Sequence, residues 1–213
     1  MTKEAFVKIF PTFSEKYDGL DKLVRLVEEK AKVVNITAIR TYDDIWQKHI
    51  VDSLIPTQIP EVEEVLLKEG TLVLDVGTGG GFPGLPLAIT HPNSNFTLLD
   101  GTNKKVLAID EFVAELAIKN VQTVWERSEK LAKGNDYLKK YDIVLARSLA
   151  YLPELLEILI PFAKKNGLVI AYKNNDEQEI EAGNTVSSRL GLKLRERYVY
   201  QDNTRAILVY YQL

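Results

Sequence analysis

Thr71-Leu72-Val73-Leu74-Asp75-Val76-Gly77-Thr78-Gly79-Gly80-Gly81-Phe82-Pro83-Gly84-Leu85-Pro86-Leu87-Ala88-Ile89 decides the fold. The apolar run Leu72–Val76 reads as a buried parallel strand. Gly77, Gly79, Gly80 and Gly81 follow, where the backbone can turn sharply and come close to a ligand. Pro83 stands where a helix can begin, since a first helical turn does not need its missing N–H. A strand, a glycine turn and a helix N-terminus together suit a polar ligand. By themselves they do not name it.

Downstream of this stretch, strand and helix patterns alternate. Further strands are expected over Phe96–Leu99, Val121–Trp125, Ile143–Ala146 and Leu168–Tyr172. Helical runs lie between them, around Leu85–Thr90, Lys104–Ile118, Leu152–Ala163 and Glu177–Leu190. Leu192–Tyr200 and Arg205–Tyr211 are separated only by Gln201-Asp202-Asn203-Thr204 and read as an antiparallel hairpin. The expectation is an α/β fold: a Rossmann-like, seven-stranded, mostly parallel sheet closed by that hairpin. Upstream, Leu20, Leu23, Val24 and Val27 keep helix spacing, and Thr41 is placed to cap a second helix. Residues 1–60 are expected to be a helical extension and 61–213 the sheet domain, with Pro56 and Pro60 marking the boundary.

Composition narrows the function. The 213 residues carry 27 Lys and Arg against 30 Asp and Glu, a net charge of −3, which argues against a generic polyanion binder. Cysteine is absent, so thiolate metal sites, disulfides and cysteine nucleophiles are excluded. Two histidines are too few for an ordinary metal centre, and no metal is expected. No apolar run is long enough for a membrane span, and Met1–Phe6 does not open a signal peptide. A cytoplasmic protein, monomeric and not bound to membranes, is the simplest expectation. His91, before Pro92, is expected in a surface turn.

In a doubly wound sheet, ligands bind beyond the carboxyl ends of the strands. Asp75, Asp100, Arg127-Ser128-Glu129, Arg147-Ser148 and Lys173-Asn174 all fall there. Asp100, closing the second strand, is placed to accept hydrogen bonds from both ribose hydroxyls. Gly79-x-Gly81-x-x-Gly84 matches a dinucleotide pattern but starts two residues late. Asp75-x-Gly77-x-Gly79 with Asp100 is instead the arrangement of class I S-adenosylmethionine-dependent methyltransferases. Lys104-Lys105 reads either as solvated lysine or as a phosphate contact. Methylation of a small molecule or protein, or nucleotide binding without catalysis, stays open at this point.

Longer motifs carry a resemblance. Asn35-Ile36-Thr37, Arg40, His49-Ile50-Val51-Asp52-Ser53, the run Leu74–Ala88 with Gly81-Phe82-Pro83-Gly84-Leu85-Pro86, Leu98-Leu99-Asp100, Ala146-Arg147-Ser148 and Tyr172-Lys173 resemble the bacterial small-subunit ribosomal RNA methyltransferase G family, also called glucose-inhibited division protein B. The resemblance implies methylation of guanine N7 in 16S ribosomal RNA, with the RNA or the small ribosomal subunit as partner. It implies that Gly77 and Phe82, with Asp75 and Gly79, form the donor turn, and that Asp100 binds the ribose. Ser128 and Glu129 would flank the adenine, and Arg147 would be the donor-site arginine. Arg147 and Lys173 are expected to position the substrate, and Arg40, His49, Lys104, Lys105, Lys173 and Arg205 to meet RNA. The chain departs from the family pattern at Gly101, Lys105 and Asn174, where serine, arginine and glycine are usual, and it ends without the usual basic residue.

Overall fold

The computed structural model describes residues 1–213. The seven strands are β1 (Leu72–Val76), β2 (Asn95–Asp100), β3 (Val121–Trp125), β4 (Tyr141–Arg147), β5 (Ala163–Asn174), β6 (Leu192–Tyr200) and β7 (Arg205–Gln212). Their spatial order is β3-β2-β1-β4-β5-β7-β6. The first five pair in parallel, and β7 runs antiparallel to both β5 and β6. The hairpin thus enters the sheet with its second strand inside and β6 at the edge. The chain moves outward from β1 to β2 and β3 on one side, and resumes at β4 on the other. That reversal leaves a crevice above the ends of β1 and β4.

Alternation along the strands divides the interior in two. Val73, Ile143, Leu145, Ile170 and Val209 face a cluster that also holds Phe6, Leu20, Val24, Trp46 and Ile109. Leu74, Val144, Ala146, Val169 and Leu208 face a second cluster, with Leu152, Leu155, Leu159 and Ile180. The N-terminal helices therefore cover one sheet face and share its core, while helices Leu152–Leu159 and Glu177–Arg189 cover the other. Leu20, Leu23, Val24 and Val27 are all fully buried in helix Tyr17–Lys30, as their spacing predicts.

Several elements differ from the expected bounds. β5 begins five residues before Leu168, because Ala163 pairs with Tyr141 ahead of an irregular stretch that the polar Lys164-Lys165-Asn166 conceals. Helix Leu152–Leu159 correspondingly ends early and passes into one tight turn, Ile160–Phe162. His91 is not a surface residue. It is 2% exposed, with its ring bonded to Glu63 at 3.1 Å and set edge-on to Phe13. Glu63 and Phe13, from distant segments, hold the ring inward, which the His91-Pro92 dipeptide itself does not signal.

Two local features position the site. Helix Gly84–Thr90 lies so close to the sheet that a Cβ on Gly84 would come within 2.1 Å of Leu98 Cδ2 and 2.9 Å of Asp75 Oδ2. In the N-terminal segment, Thr41 caps a helix by accepting from the Asp44 N–H. That helix widens into a π turn over Trp46–Val51, a local irregularity that tends to accompany functional sites. His49 lies inside the turn and Asp52 just after it.

Candidate active site

The turn after β1 is braced from below. Asp75 is fully buried, and its Oδ2 accepts from Thr78 Oγ1 at 2.6 Å and from the Gly84 N–H at 2.8 Å. Its Oδ1 has no partner. Burial raises the Asp75 pKa to about 6, against the lowering effect of those two bonds. Gly77 and Gly79 both take positive φ, +71° and +63°. A Cβ on Gly77 would meet Leu149 Cδ1 at 2.7 Å, whereas one on Gly79 would meet nothing within 4 Å. Gly77 therefore gives the Leu149 side chain room to pack against the turn. Gly79 supplies a conformation and an N–H, which donates to Asp100 Oδ2 at 2.9 Å.

A cleft of about 390 Å³ opens above this turn, lined by Gly77, Asp100, Lys105, Ser128, Glu129 and Leu149 among others. Asp100 Oδ1 accepts from the Thr102 N–H at 2.8 Å. Each carboxylate oxygen has a second lone pair, so Asp100 can still accept from two hydroxyls. Lys105 lines this cleft, its ammonium 3.9 Å from Asp100 Oδ2. Lys104 is exposed to solvent on the same helix. Gly101 leaves room for Arg127, whose Cδ and Nε would lie 3.0 and 3.1 Å from a Cβ there.

A second cleft, of about 250 Å³, is lined by Ile39, Lys48, His49, Asp52, Arg147, Ser148, Gln201 and Arg205. Ser148 lines both clefts, so they adjoin. Arg147, expected at the donor, is bound on the far side of that junction. Its Nη1 donates to the Lys48 carbonyl and to Asp52 Oδ2, both at 2.9 Å, and its Nη2 donates to His49 Nδ1 at 2.8 Å. Phe82 does not line the donor cleft either. It is buried, stacked on the His49 ring at 4.3 Å, with the Arg147 guanidinium 5.8 Å from its centroid. The β4 and N-terminal residues thus join over the glycine turn, a contact that spacing along the chain cannot reveal. Arg40 is exposed beside Ile39 of this cleft.

Lys173, expected to position substrate and meet RNA, is engaged within the protein: its ammonium pairs with Glu179 and donates to the Ala150 carbonyl at 2.9 Å. Glu179 also accepts from the Leu152 N–H at 2.8 Å. The pair fastens the loop after β4, which carries Leu149 over Gly77 and Ser148 in a left-handed conformation at φ +56°. Lys173→Met is expected to weaken donor binding roughly tenfold, about 1.4 kcal/mol, by freeing that loop. Calorimetry with the donor measures this. Unchanged affinity would show that the loop holds its place without the pair.

His49 is neutral. An arginine can only donate, so Nδ1 accepts and Nε2 carries the proton toward Thr37 Oγ1, 2.7 Å away. Burial, then the Arg147 charge, lowers its pKa from 6.5 to about 3. Folded His49 thus contributes stability above pH 6.5 that is lost as pH falls toward 3. Asp75 acts with the opposite sign, because its raised pKa gives stability at low pH that is lost as pH rises from 3.8 through about 6. The two oppose each other in the wild type. Asp75→Asn is expected to expose the histidine effect, a loss of about 2 kcal/mol between pH 7 and pH 5 in urea unfolding. A flat profile in that variant would contradict a buried neutral His49.

Residues 16–208 match the family model described as GidB, rRNA small subunit methyltransferase G. The chain belongs to this family. The ribosomal RNA small subunit methyltransferase G of Lachnoclostridium phytofermentans is 36% identical over 176 residues, 82% of this chain and 71% of that protein. The one from Oenococcus oeni is 36% identical over 185 residues, 84% of this chain and 74% of the relative. Among solved structures, a SAM dependent methyltransferase from Aquifex aeolicus aligns with TM-score 0.57 at 20% identity, over 76% of this chain and 95% of its own. M. jannaschii TYW2 in complex with AdoMet aligns with TM-score 0.52 at 17% identity, over 72% and 74%. These two likenesses show the fold. As a methyltransferase G, the chain is an S-adenosylmethionine-dependent enzyme.

The first cleft fits that donor. Its volume lies in the usual range for small-molecule sites. Gly77 has no side chain to obstruct and Asp100 keeps free lone pairs, while Asp75, fully buried beneath the turn and outside the cleft lining, keeps an unpartnered Oδ1 next to it. Motif reading of this methyltransferase G missed four groups. Asp52 stood inside the His49-x-x-Asp52-Ser53 motif without an assigned part. Leu149, Glu179 and Tyr200 carry no local signal, since each meets the site through a contact between distant segments.

Proposed function

We propose that this enzyme methylates N7 of a guanine in 16S ribosomal RNA, acting in the cytoplasm as a monomer on the small ribosomal subunit. The observation that carries the reading is the junction at Ser148 between a donor-sized cleft and one framed by Arg147, Arg205 and Lys48. When bound, S-adenosylmethionine supplies a methyl on a positively charged sulfur, and guanine N7 accepts it with its own lone pair, with no proton to remove. The residues fit that demand. The one histidine at the junction has its Nδ1 lone pair engaged by Arg147, so it does not serve as a base. Asp75, Gly77, Asp100, Ser128 and Glu129 would hold the donor, with Gly79 supporting Asp100. Arg147, Arg205, Arg40 and Lys48 would face the RNA, and aligning the two reactants would supply most of the acceleration. The chemistry uses no metal ion. No helix is long and apolar enough to cross a membrane.

The test is transfer of a tritiated methyl group to small subunits from cells lacking this modification, with the product mapped on the RNA. Label at a guanine N7 is the expected result. Label on protein or on another base atom would overturn the reading.

A further inference from the structure

Asp52 occupies a position that the donor chemistry does not call for. Its carboxylate is 4% exposed, yet it meets three polar side chains from three strands. Oδ2 lies 2.9 Å from Arg147 Nη1 on β4 and 3.6 Å from Arg205 Nη2 on β7, and Oδ1 accepts from the Tyr200 hydroxyl on β6. Burial, followed by the Asp52 charge, raises the Tyr200 pKa, so the phenol stays protonated and donates. On the neighbouring residue, the Ser53 carbonyl accepts from Tyr172 of β5 at 2.8 Å. One N-terminal turn is thereby fixed to four strands of the sheet.

The consequence concerns the two arginines. Side by side, their guanidinium groups repel, and Asp52 is the anion between them. It offsets one positive charge and leaves the other. Three of the five Arg147 N–H donors are engaged, by Lys48, Asp52 and His49, which leaves two. Arg205 Nε is buried without a partner, and Nη1 leans on Asn174 at 3.3 Å. The cleft edge carries a second sign of preorganisation. Gln201, Asp202 and Asn203 all take positive φ, 50°, 51° and 65°. Such backbone persists where surrounding bonds over-determine it. Here Asn175 Nδ2 holds the Asn203 carbonyl at 2.9 Å and Thr204 Oγ1 holds that of Gln201 at 2.7 Å, which places Gln201 in the cleft wall.

We propose that the cleft around Asp52 receives the target guanosine nucleotide, and that Asp52 is its positioning residue, holding Arg147 and Arg205 together so that their remaining donors grip the nucleotide. This rests on the reading of ribosomal RNA as substrate. Guanine offers acceptors at O6 and N7, and a bidentate arginine ordinarily takes both. An arginine already held by Asp52, Lys48 and His49 has fewer ways to cover N7, which must stay open to the methyl group.

Asp52→Asn tests this, because it keeps the shape and removes the charge. With unmodified small subunits, its KM is expected to rise at least tenfold with a fall in kcat, while the calorimetric Kd for S-adenosylmethionine stays within twofold. Asp52→Glu is expected to recover part of the loss, as its charge remains. NMR of the arginine Nε–H groups, assigned with Arg147→Lys and Arg205→Lys, reads positioning without RNA. Sharp, slowly exchanging signals in the wild type are expected to broaden in Asp52→Asn. A wild-type KM in Asp52→Asn, or an equal loss of donor affinity, would overturn the proposal. If wild-type enzyme fails to label the subunit, the substrate reading fails, and the nucleotide assignment with it. The arginine signals then decide the positioning role alone: unchanged in Asp52→Asn, they refute it too.

Discussion

Arg147→Ala is expected to lower folding stability by about 3–5 kcal/mol and to abolish methyl transfer. The Arg147 side chain is 9% exposed, and its guanidinium serves three acceptors on the N-terminal segment: the Lys48 carbonyl, Asp52 and His49. Removing it leaves Asp52 buried with a more distant Arg205, and leaves the His49 lone pair without its donor. Breaking a buried pair on one side costs much more than the pair contributes net, because the remaining charge stays desolvated. At about 2–4 °C per kcal/mol for a chain of this size, the melting temperature falls by roughly 10 °C. Arg147→Met keeps an aliphatic stem against Phe82 and separates lost packing from lost charge. Urea unfolding gives the stability, and single-turnover transfer to the small subunit gives the activity. A loss below about 1 kcal/mol would mean that desolvation cancels the ion pair. Full activity at normal stability would remove Arg147 from the substrate site.

Gly77→Val is expected to reduce donor affinity at least a hundredfold, about 2.7 kcal/mol, while leaving the chain folded. Two effects add. At φ +71° a side chain strains the backbone by about 1–2 kcal/mol, and branching at Cβ makes the strain worse. The new Cβ also stands 2.7 Å from Leu149 Cδ1, so either Leu149 moves or the valine methyls fill the cleft. Gly79→Ala is the control. It carries similar backbone strain at φ +63°, but its Cβ meets nothing within 4 Å. It should lose stability with a smaller loss of affinity. Calorimetry with S-adenosylmethionine and a melt of each variant distinguish strain from obstruction. Equal affinity losses in the two would show that turn conformation matters and space does not. Tight donor binding in Gly77→Val would place the donor elsewhere.

Much of the donor half was legible because its signals are local. The apolar run Leu72–Val76, the glycines and Asp100 lie within thirty residues, and each reports on its own backbone or on the adjacent strand. The substrate half was only partly legible. Lys173 carries a positive charge at a strand end, which on sequence grounds suits RNA, but Glu179 on the following helix turns it inward. Lys105 follows Lys104, yet helical geometry points one toward Asp100 and leaves the other in solvent. Phe82 belonged to the right turn, but its ring serves as a shelf for His49 and not as a wall of the donor cleft. In each case the direction of the side chain is set by packing that its own stretch of sequence does not report.

By itself, the sequence determined the order of elements, the parallel sheet with its closing hairpin, the glycine turn and the acid that follows β2. Period-two and helical alternation, glycine conformation and strand-end position are properties of neighbouring residues, so a linear reading recovers them. Only the tertiary structure decided that β7 lies inside β6, that the N-terminal helices share the core of the sheet, and that Arg147 turns from the donor toward Asp52 and His49. Those outcomes depend on which buried charges find partners, and the partners of Asp52 lie 95 and 148 positions away. Desolvation penalises an unpaired carboxylate so strongly that these long-range pairings, and not local propensity, set the geometry of the substrate cleft.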